Sequence, residues 1–252
     1  NFICNAFLFI SITGAFAQRS VLIAGNNEII RHSNSSLPLV EPHLAINPNN
    51  GNHMVVTAIV FDSAAPTTTG DHIVVFATKD NGKTWKQTDF EMTHGGDPWV
   101  AVKNENDVVL IALAGYENKP GTSLVYYTSS DGGFTWSKEP MKLGGGHDHP
   151  TLAKDPNSGR LFLLSSLVKR NGAQERISYA YLNYSDDWKK LNDSASVFTV
   201  GKSNSNTLTA AVHPSGNIIL PYIEHPFENH STESNQPATG SSIKYVYSKN
   251  AK

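Results

Sequence analysis

Glu41, Asp97, His149 and Asn206 occupy one place in a recurring block, each at the start of a short apolar segment. His43, Trp99, His147 and Asp148 stand beside them, and later polar stretches add Asp62, Asp71, Arg170 and Arg176. Carboxylates and imidazoles gathered in one place can exchange protons near neutral pH and hydrogen-bond a polar ligand. The same donors suit a divalent cation, with Glu41, Asp97, His147 and His149 as the set. A His-x-His in a glycine-rich linker is more often a plain polar loop, so no resident metal or cofactor is expected. Any one of these side chains also suffices to cap a strand end with water.

A repeat is what would gather them. The blocks run Glu41 to Gly51, Asp97 to Asp107, His149 to Gly159 and Asn206 to Gly216, roughly every 55 residues. Each is a short apolar strand, a turn of Asn, Asp, Pro and Gly, and a second strand. Those second strands read Met54 to Val60, Val108 to Leu113, Leu161 to Leu164 and Ile218 to Tyr222. Near-continuous apolar runs of this kind fit strands buried on both faces between stacked sheets. A polar loop follows, then a third strand at Ile73–Ala77, Leu124–Thr128, Ile177–Tyr181 and Ile243–Tyr247.

Two of the third strands run into the pattern [ST]-x-D-x-G-x-T-W. One copy is Thr78, Asp80, Gly82, Thr84 and Trp85; the other is Ser129, Asp131, Gly133, Thr135 and Trp136. An aspartate here accepts backbone N–H groups of its own turn, glycine permits a positive φ, and threonine ties the turn off. The tryptophan returns between sheets as an apolar anchor. This is a folding device, and no chemistry is read into Asp80 or Asp131. The third copy has decayed to Asn183–Trp188. Four strands per unit with a tryptophan-bearing turn predict the blades of an all-β propeller, starting near 41, 97, 149 and 206.

The pattern is that of the Asp-box, or BNR repeat, and over residues 41 to 252 the chain resembles the sialidase-like β-propeller superfamily. The resemblance implies six blades in all, of which about four are present, so 18–252 reads as a partial propeller. It also implies that the boxes lie on the face opposite the active site. Antiparallel order then puts the turns after the inner strands on the box face. Glu41, Asp97, His149 and Asn206 fall on the other rim, ringing the axis, with the upper loops. The implied activity is that of a glycoside hydrolase of exo-α-sialidase type acting on terminal sugars of glycans. Asp62 or Asp71 would be its acid/base, and Glu41, His43, Asp97, Trp99, His147, Asp148, His149, Arg170 and Arg176 its substrate contacts. The arginine expected at the start of the first blade is replaced by Val40-Glu41-Pro42. A non-catalytic propeller binding a glycan or protein through the same face is the alternative.

Composition narrows the class further. Twenty Lys and Arg against 22 Asp and Glu leave a net charge of −2, without the basic face that a nucleic-acid partner requires. The mean hydropathy of −0.31 excludes a polytopic membrane protein. An apolar run from Phe2 ends in Ala15-Phe16-Ala17, which reads as a signal peptide over 1–17 lacking its charged start. Its removal takes away Cys4, the single cysteine, and predicts a secreted or periplasmic, thiol-free protein with no membrane attachment.

Overall fold

Among the described residues the alternation of apolar residues is realised as sixteen strands in four antiparallel sheets. The structure is a computed structural model that describes residues 30–34, 36–61, 70–115, 123–171, 175–199, 204–207, 209–225 and 242–248. The expected leader over 1–17 and the candidate Asp62 lie outside the described residues. The first sheet is β1 (Leu39–Asn47), β2 (Asn50–Val60), β3 (His72–Thr78) and β4 (Lys86–Asp89). The second is β5 (Thr93–Val102), β6 (Val108–Gly115), β7 (Ser123–Ser129) and β8 (Met141–Gly145). The third is β9 (His147–Lys154), β10 (Leu161–Asn171), β11 (Glu175–Ser185) and β12 (Ser196–Thr199). The fourth holds β13 (Asn204–Thr207), β14 (Ala211–Val212), β15 (Ile218–His225) and β16 (Ser242–Ser248). Here β13 and β14 are two pieces of one inner strand, both paired with β15.

Each sheet is a meander, and the cores lie between sheets. Strand β6 is buried at every residue. Its Val108, Leu110, Ala112 and Ala114 pack with Val55, Ile73 and Val75 of the first sheet. Its Val109, Ile111 and Leu113 point the other way, to Leu152, Leu161 and Leu163 of the third. Strand β10 repeats the arrangement, sending Phe162 and Leu164 towards Ile218 and Leu220 of the fourth. Period-two side chains on a strand buried on both faces thus join successive sheets. Each fully buried Val, Leu or Ile contributes about 1.5–3 kcal/mol.

The [ST]-x-D-x-G-x-T-W turns are near-copies of each other. Thr84 donates from its backbone N–H to Asp80 Oδ1 at 2.9 Å and from its hydroxyl to Oδ2 at 2.7 Å. Thr135 does the same to Asp131 at 2.8 and 2.7 Å. Thr78 and Ser129 accept the Gly82 and Gly133 N–H groups at 3.1 and 2.8 Å. Those glycines sit at φ of 83° and 92°. The third turn retains more than its sequence suggests. Ser185 and Asp187 keep the hydroxyl–carboxylate pair, and Asp187 Oδ1 accepts the N–H groups of Lys189 and Lys190 at 2.8 and 3.2 Å. Trp136 is half-buried against the core between the first and second sheets, Trp85 is half-buried, and Trp188 is 1% exposed between the second and third.

The Thr84 N–H and hydroxyl, with that of Thr78, hold the Asp80 carboxyl at about 2, against an ordinary 3.8. A depressed carboxylate stabilises the fold above the unfolded value and ceases to do so as pH falls through the folded one. Wild type is therefore expected to be more stable than Asp80→Asn above pH 3.8, with the difference closing towards pH 2. Paired denaturant titrations across that range measure it, and a pH-independent difference would contradict the assignment.

Strand register separates the two rims. Ile46 pairs with Met54, and Met54 with Thr78, so the first turn lies level with the far end of the inner strand from Glu41. Val102, Val108 and Ser129 repeat this in the second sheet. The lower rim is locked between sheets by His53, fully buried. Its Nε2–H donates to Gly132 O at 2.8 Å while its Nδ1 accepts from Asn47 Nδ2 at 3.2 Å. Among the described residues no helix is long and apolar enough to cross a membrane.

Candidate functional site

On the upper rim each of the first three inner strands begins with the same distortion. Glu41, Asp97 and His149 adopt φ of 51°, 46° and 48°, and each is followed by proline. The ladder slips there, between Val40 and His43, between Gly96 and Trp99, and opposite Leu164–Ser166. A non-glycine residue held in this left-handed region costs about 1–3 kcal/mol and persists where its surroundings impose it. Three such residues at one level on adjacent sheets converge on a pocket of about 330 Å³, shared with His43, Trp99 and Thr151.

Register places the fourth-sheet counterpart at Thr207, not at Asn206. Asn206 pairs with Ile223 as Asp148 pairs with Ser166 and Gly96 with Leu113, so the following residue is the equivalent one. The hairpin turn after β9 is one residue longer than that after β14, which shifts an alignment anchored on Gly159 and Gly216 by one. Thr209, two residues beyond Thr207 in the chain between β13 and β14, lines the pocket.

Polar ties across sheets hold the rim. His149 donates its backbone N–H to Asp97 Oδ2 at 3.0 Å. Burial raises the Glu41 carboxyl above its ordinary 4.5, and the neighbouring Asp97 carboxylate raises it further against the opposing pull of His149. Glu41 also faces the Asp97 backbone N–H. Burial pushes the His43 imidazole down to about 4, so it is neutral at physiological pH. The neutral ring accepts the Val100 N–H at Nδ1 (3.3 Å) and lies on Trp99, centroids 3.9 Å apart at 31°. Together they make a flat aromatic wall.

The sequence candidates divide on this geometry. Glu41, His43, Asp97, Trp99 and His149 meet in the pocket. Asp148 stands beside it, 4.0 Å from His149. His147 turns away: it is buried, its Nδ1 is 2.7 Å from Ser165 Oγ, and its ring packs edge-on against Tyr181. The donor set on this rim is accordingly Asp97, Asp148 and His149, within 4.8 Å of one another, without His147. Asp71 is buried ahead of β3, where its carbonyl accepts the Gly95 N–H at 2.8 Å, and it does not line the pocket. Arg170 and Arg176 pair across the β10–β11 hairpin, and their side chains lie outside those described.

Thr151 was not singled out by its sequence, although Pro-Thr follows His149 directly. Its hydroxyl is buried, lines the pocket and has no hydrogen-bond partner among the described residues. A buried orphan hydroxyl costs about 1–3 kcal/mol unless something satisfies it.

Radially stacked meander sheets with a polar pocket where their inner strands begin define the chain as part of a β-propeller. The α-L-arabinofuranosidase from Fusarium graminearum is similar at 17% identity and a TM-score of 0.54, over 84% of this chain and 63% of that one. The α-L-arabinanase from Penicillium chrysogenum, solved with arabinobiose, gives 13% and 0.53, over 77% and 62%. A Hadza microbial sialidase gives 19% and 0.48, over 72% and 41%. The chain thus spans less than two thirds of each of these proteins. No protein-family model and no curated protein sequence matches it.

Proposed function

We propose that the upper rim is the sugar site of an exported glycoside hydrolase acting on terminal residues of glycans, with the lower turns serving as Asp-boxes. The observation that carries this reading is the Glu41–Asp97 pair. The Glu41 carboxyl is raised above its ordinary value by partial burial and by the neighbouring Asp97 charge, inside a pocket that also offers an aromatic wall and the orphan Thr151 hydroxyl. A protonated carboxyl can protonate a leaving glycosidic oxygen. Trp99 and His43 offer a face for a sugar ring, and Thr151 a partner for a sugar hydroxyl. The Glu41 and Asp97 carboxyl groups act on each other directly, whereas the two working carboxyls of most glycosidases stand roughly 5–9.5 Å apart. They therefore act as one proton-holding unit, and the nucleophile or water-activating base is supplied from elsewhere around the funnel.

The substrate class follows from charge. The pocket is lined by two carboxylates and by no arginine or lysine among the described residues. A sialic acid carboxylate would meet like charge there, so a neutral sugar fits better than the sialoside that the resemblance implies. The non-catalytic alternative has one observation in its favour, since Asp97 Oδ2 is already engaged by the His149 N–H. A panel of fluorogenic arabinofuranoside, galactoside and sialoside substrates separates these readings. Release from a neutral glycoside is expected. Release from the sialoside alone would overturn the neutral-sugar assignment. No release by folded protein would overturn the hydrolase and leave the binding propeller.

A further inference from the structure

Away from the pocket, at the outer edge of the first sheet, three side chains from distant parts of the chain meet. His32 Nε2 lies 2.7 Å from Asp89 Oδ1, and His72 Nε2 lies 3.3 Å from the same oxygen. All three donor atoms fall within 4.8 Å of one another. The other nitrogen of His72 is 3.1 Å from the Gly70 carbonyl oxygen. A carbonyl has no proton to give, so this contact is a hydrogen bond only when Nδ1 carries the proton. In the neutral ring Nε2 is then bare and aims a lone pair at a carboxylate. That arrangement repels unless an electrophile lies between the two. His32 Nδ1 accepts the Asn34 N–H at 3.1 Å and lies 3.3 Å from the Asn34 carbonyl oxygen, so its proton sits on Nε2 and has to move to Nδ1, towards that oxygen, to free Nε2 for an ion.

Asp89 is equally well oriented. Its Oδ2 accepts the Gln87 side-chain amide at 2.7 Å, which leaves Oδ1 for the two imidazoles. An imidazole such as His72 whose far N–H reaches a backbone carbonyl, with a carboxylate held by a second hydrogen bond, is the usual support of a metal centre. Two nitrogens and one oxygen suit zinc and its neighbours over calcium or magnesium. Ligands of a tetrahedral zinc lie roughly 3.3 Å apart, so the 2.7 Å contact between His32 and Asp89 has to open by about half an ångström. Asp89 is 43% exposed, which leaves a solvent-facing fourth position.

We propose that His32, His72 and Asp89 bind a zinc ion that clasps the N-terminal segment onto the outer edge of the first sheet. The clasp has a ready hinge in the Ser33–Gln87 pair, where the Ser33 N–H donates to Gln87 Oε1 at 2.9 Å. It holds the segment carrying Ile30 and Leu37 against Val60, Val74 and Phe76 on the outer face of the first sheet.

The test uses the full chain, stripped with a chelator and titrated with zinc by calorimetry, and with cobalt for its visible absorption. One equivalent is expected to bind, raising the melting temperature by roughly 5 °C at saturation. His72→Ala and the near-isosteric Asp89→Asn are each expected to weaken binding more than tenfold and to abolish the cobalt band. Failure of the wild-type chain to bind one equivalent would overturn the proposal. So would unchanged affinity in both variants, which would place the ion elsewhere.

Discussion

Glu41→Gln is expected to lower turnover of a hydrolysed glycoside by two to four orders of magnitude, with a much smaller change in KM. That is the range a positioned proton donor contributes. Glutamine keeps the shape and the hydrogen-bonding capacity of the side chain and removes only the transferable proton. The pH profile supplies the second readout. Burial and then Asp97 raise the Glu41 carboxyl above 4.5, so activity that depends on its protonated form persists past that pH and falls as pH climbs through the raised value. Glu41→Gln removes that limb. Asp97→Asn, which takes away the neighbouring charge, moves it to lower pH. Full turnover by Glu41→Gln would refute the role given to this carboxyl.

Trp188→Ala is expected to cost about 3–5 kcal/mol, the range for truncating a large buried aromatic residue. In a protein of ordinary stability that is about a fifth or more of the total. Trp188 is 1% exposed and packs among Tyr126, Leu161 and Leu191 between the second and third sheets. Its indole N–H donates to the Gly159 carbonyl at 2.8 Å, and its own carbonyl accepts the Tyr126 hydroxyl at 3.1 Å. Lys103 and Lys154 approach the ring to 6.0 and 5.8 Å. Trp188→Phe keeps most of the apolar contact and leaves the Gly159 carbonyl unpaired, so a loss of about 1–3 kcal/mol is expected. Urea midpoints at unchanged slope measure both. An alanine variant within 1 kcal/mol of wild type would show that neighbouring side chains close the gap.

The blades were legible because two local signals agree. Strands such as β6 alternate residues between two cores and therefore read as unbroken apolar runs, and each Asp-centred turn is closed by residues within seven positions of one another. The rim was legible only in part. That Glu41, Asp97 and His149 share a level follows from the repeat. Their left-handed backbone does not, and it alters which side chains face inward. Strict alternation would put His147 and His149 on one face of β9, but the ladder slip after Asp148 sends His147 into the Tyr181 contact instead. The fourth-sheet position was displaced by one residue for an equally local reason, the longer turn after β9. The Glu41–Asp97 pairing and the orphan Thr151 hydroxyl depend on how neighbouring sheets lean together, which no single strand encodes. The clasp of His32, His72 and Asp89 was hidden likewise, its members lying in a linker, a strand start and an edge strand.

Glu41 belongs to the first sheet and Asp97 to the second, while the N–H that Asp97 accepts comes from the third. No isolated unit therefore possesses the elevated carboxyl; it emerges only on assembly. A folding intermediate with intact meanders not yet seated on one another would carry Glu41 and Asp97 without the contact between them. Chemical competence would arrive last, as a report that the wedges have closed ranks.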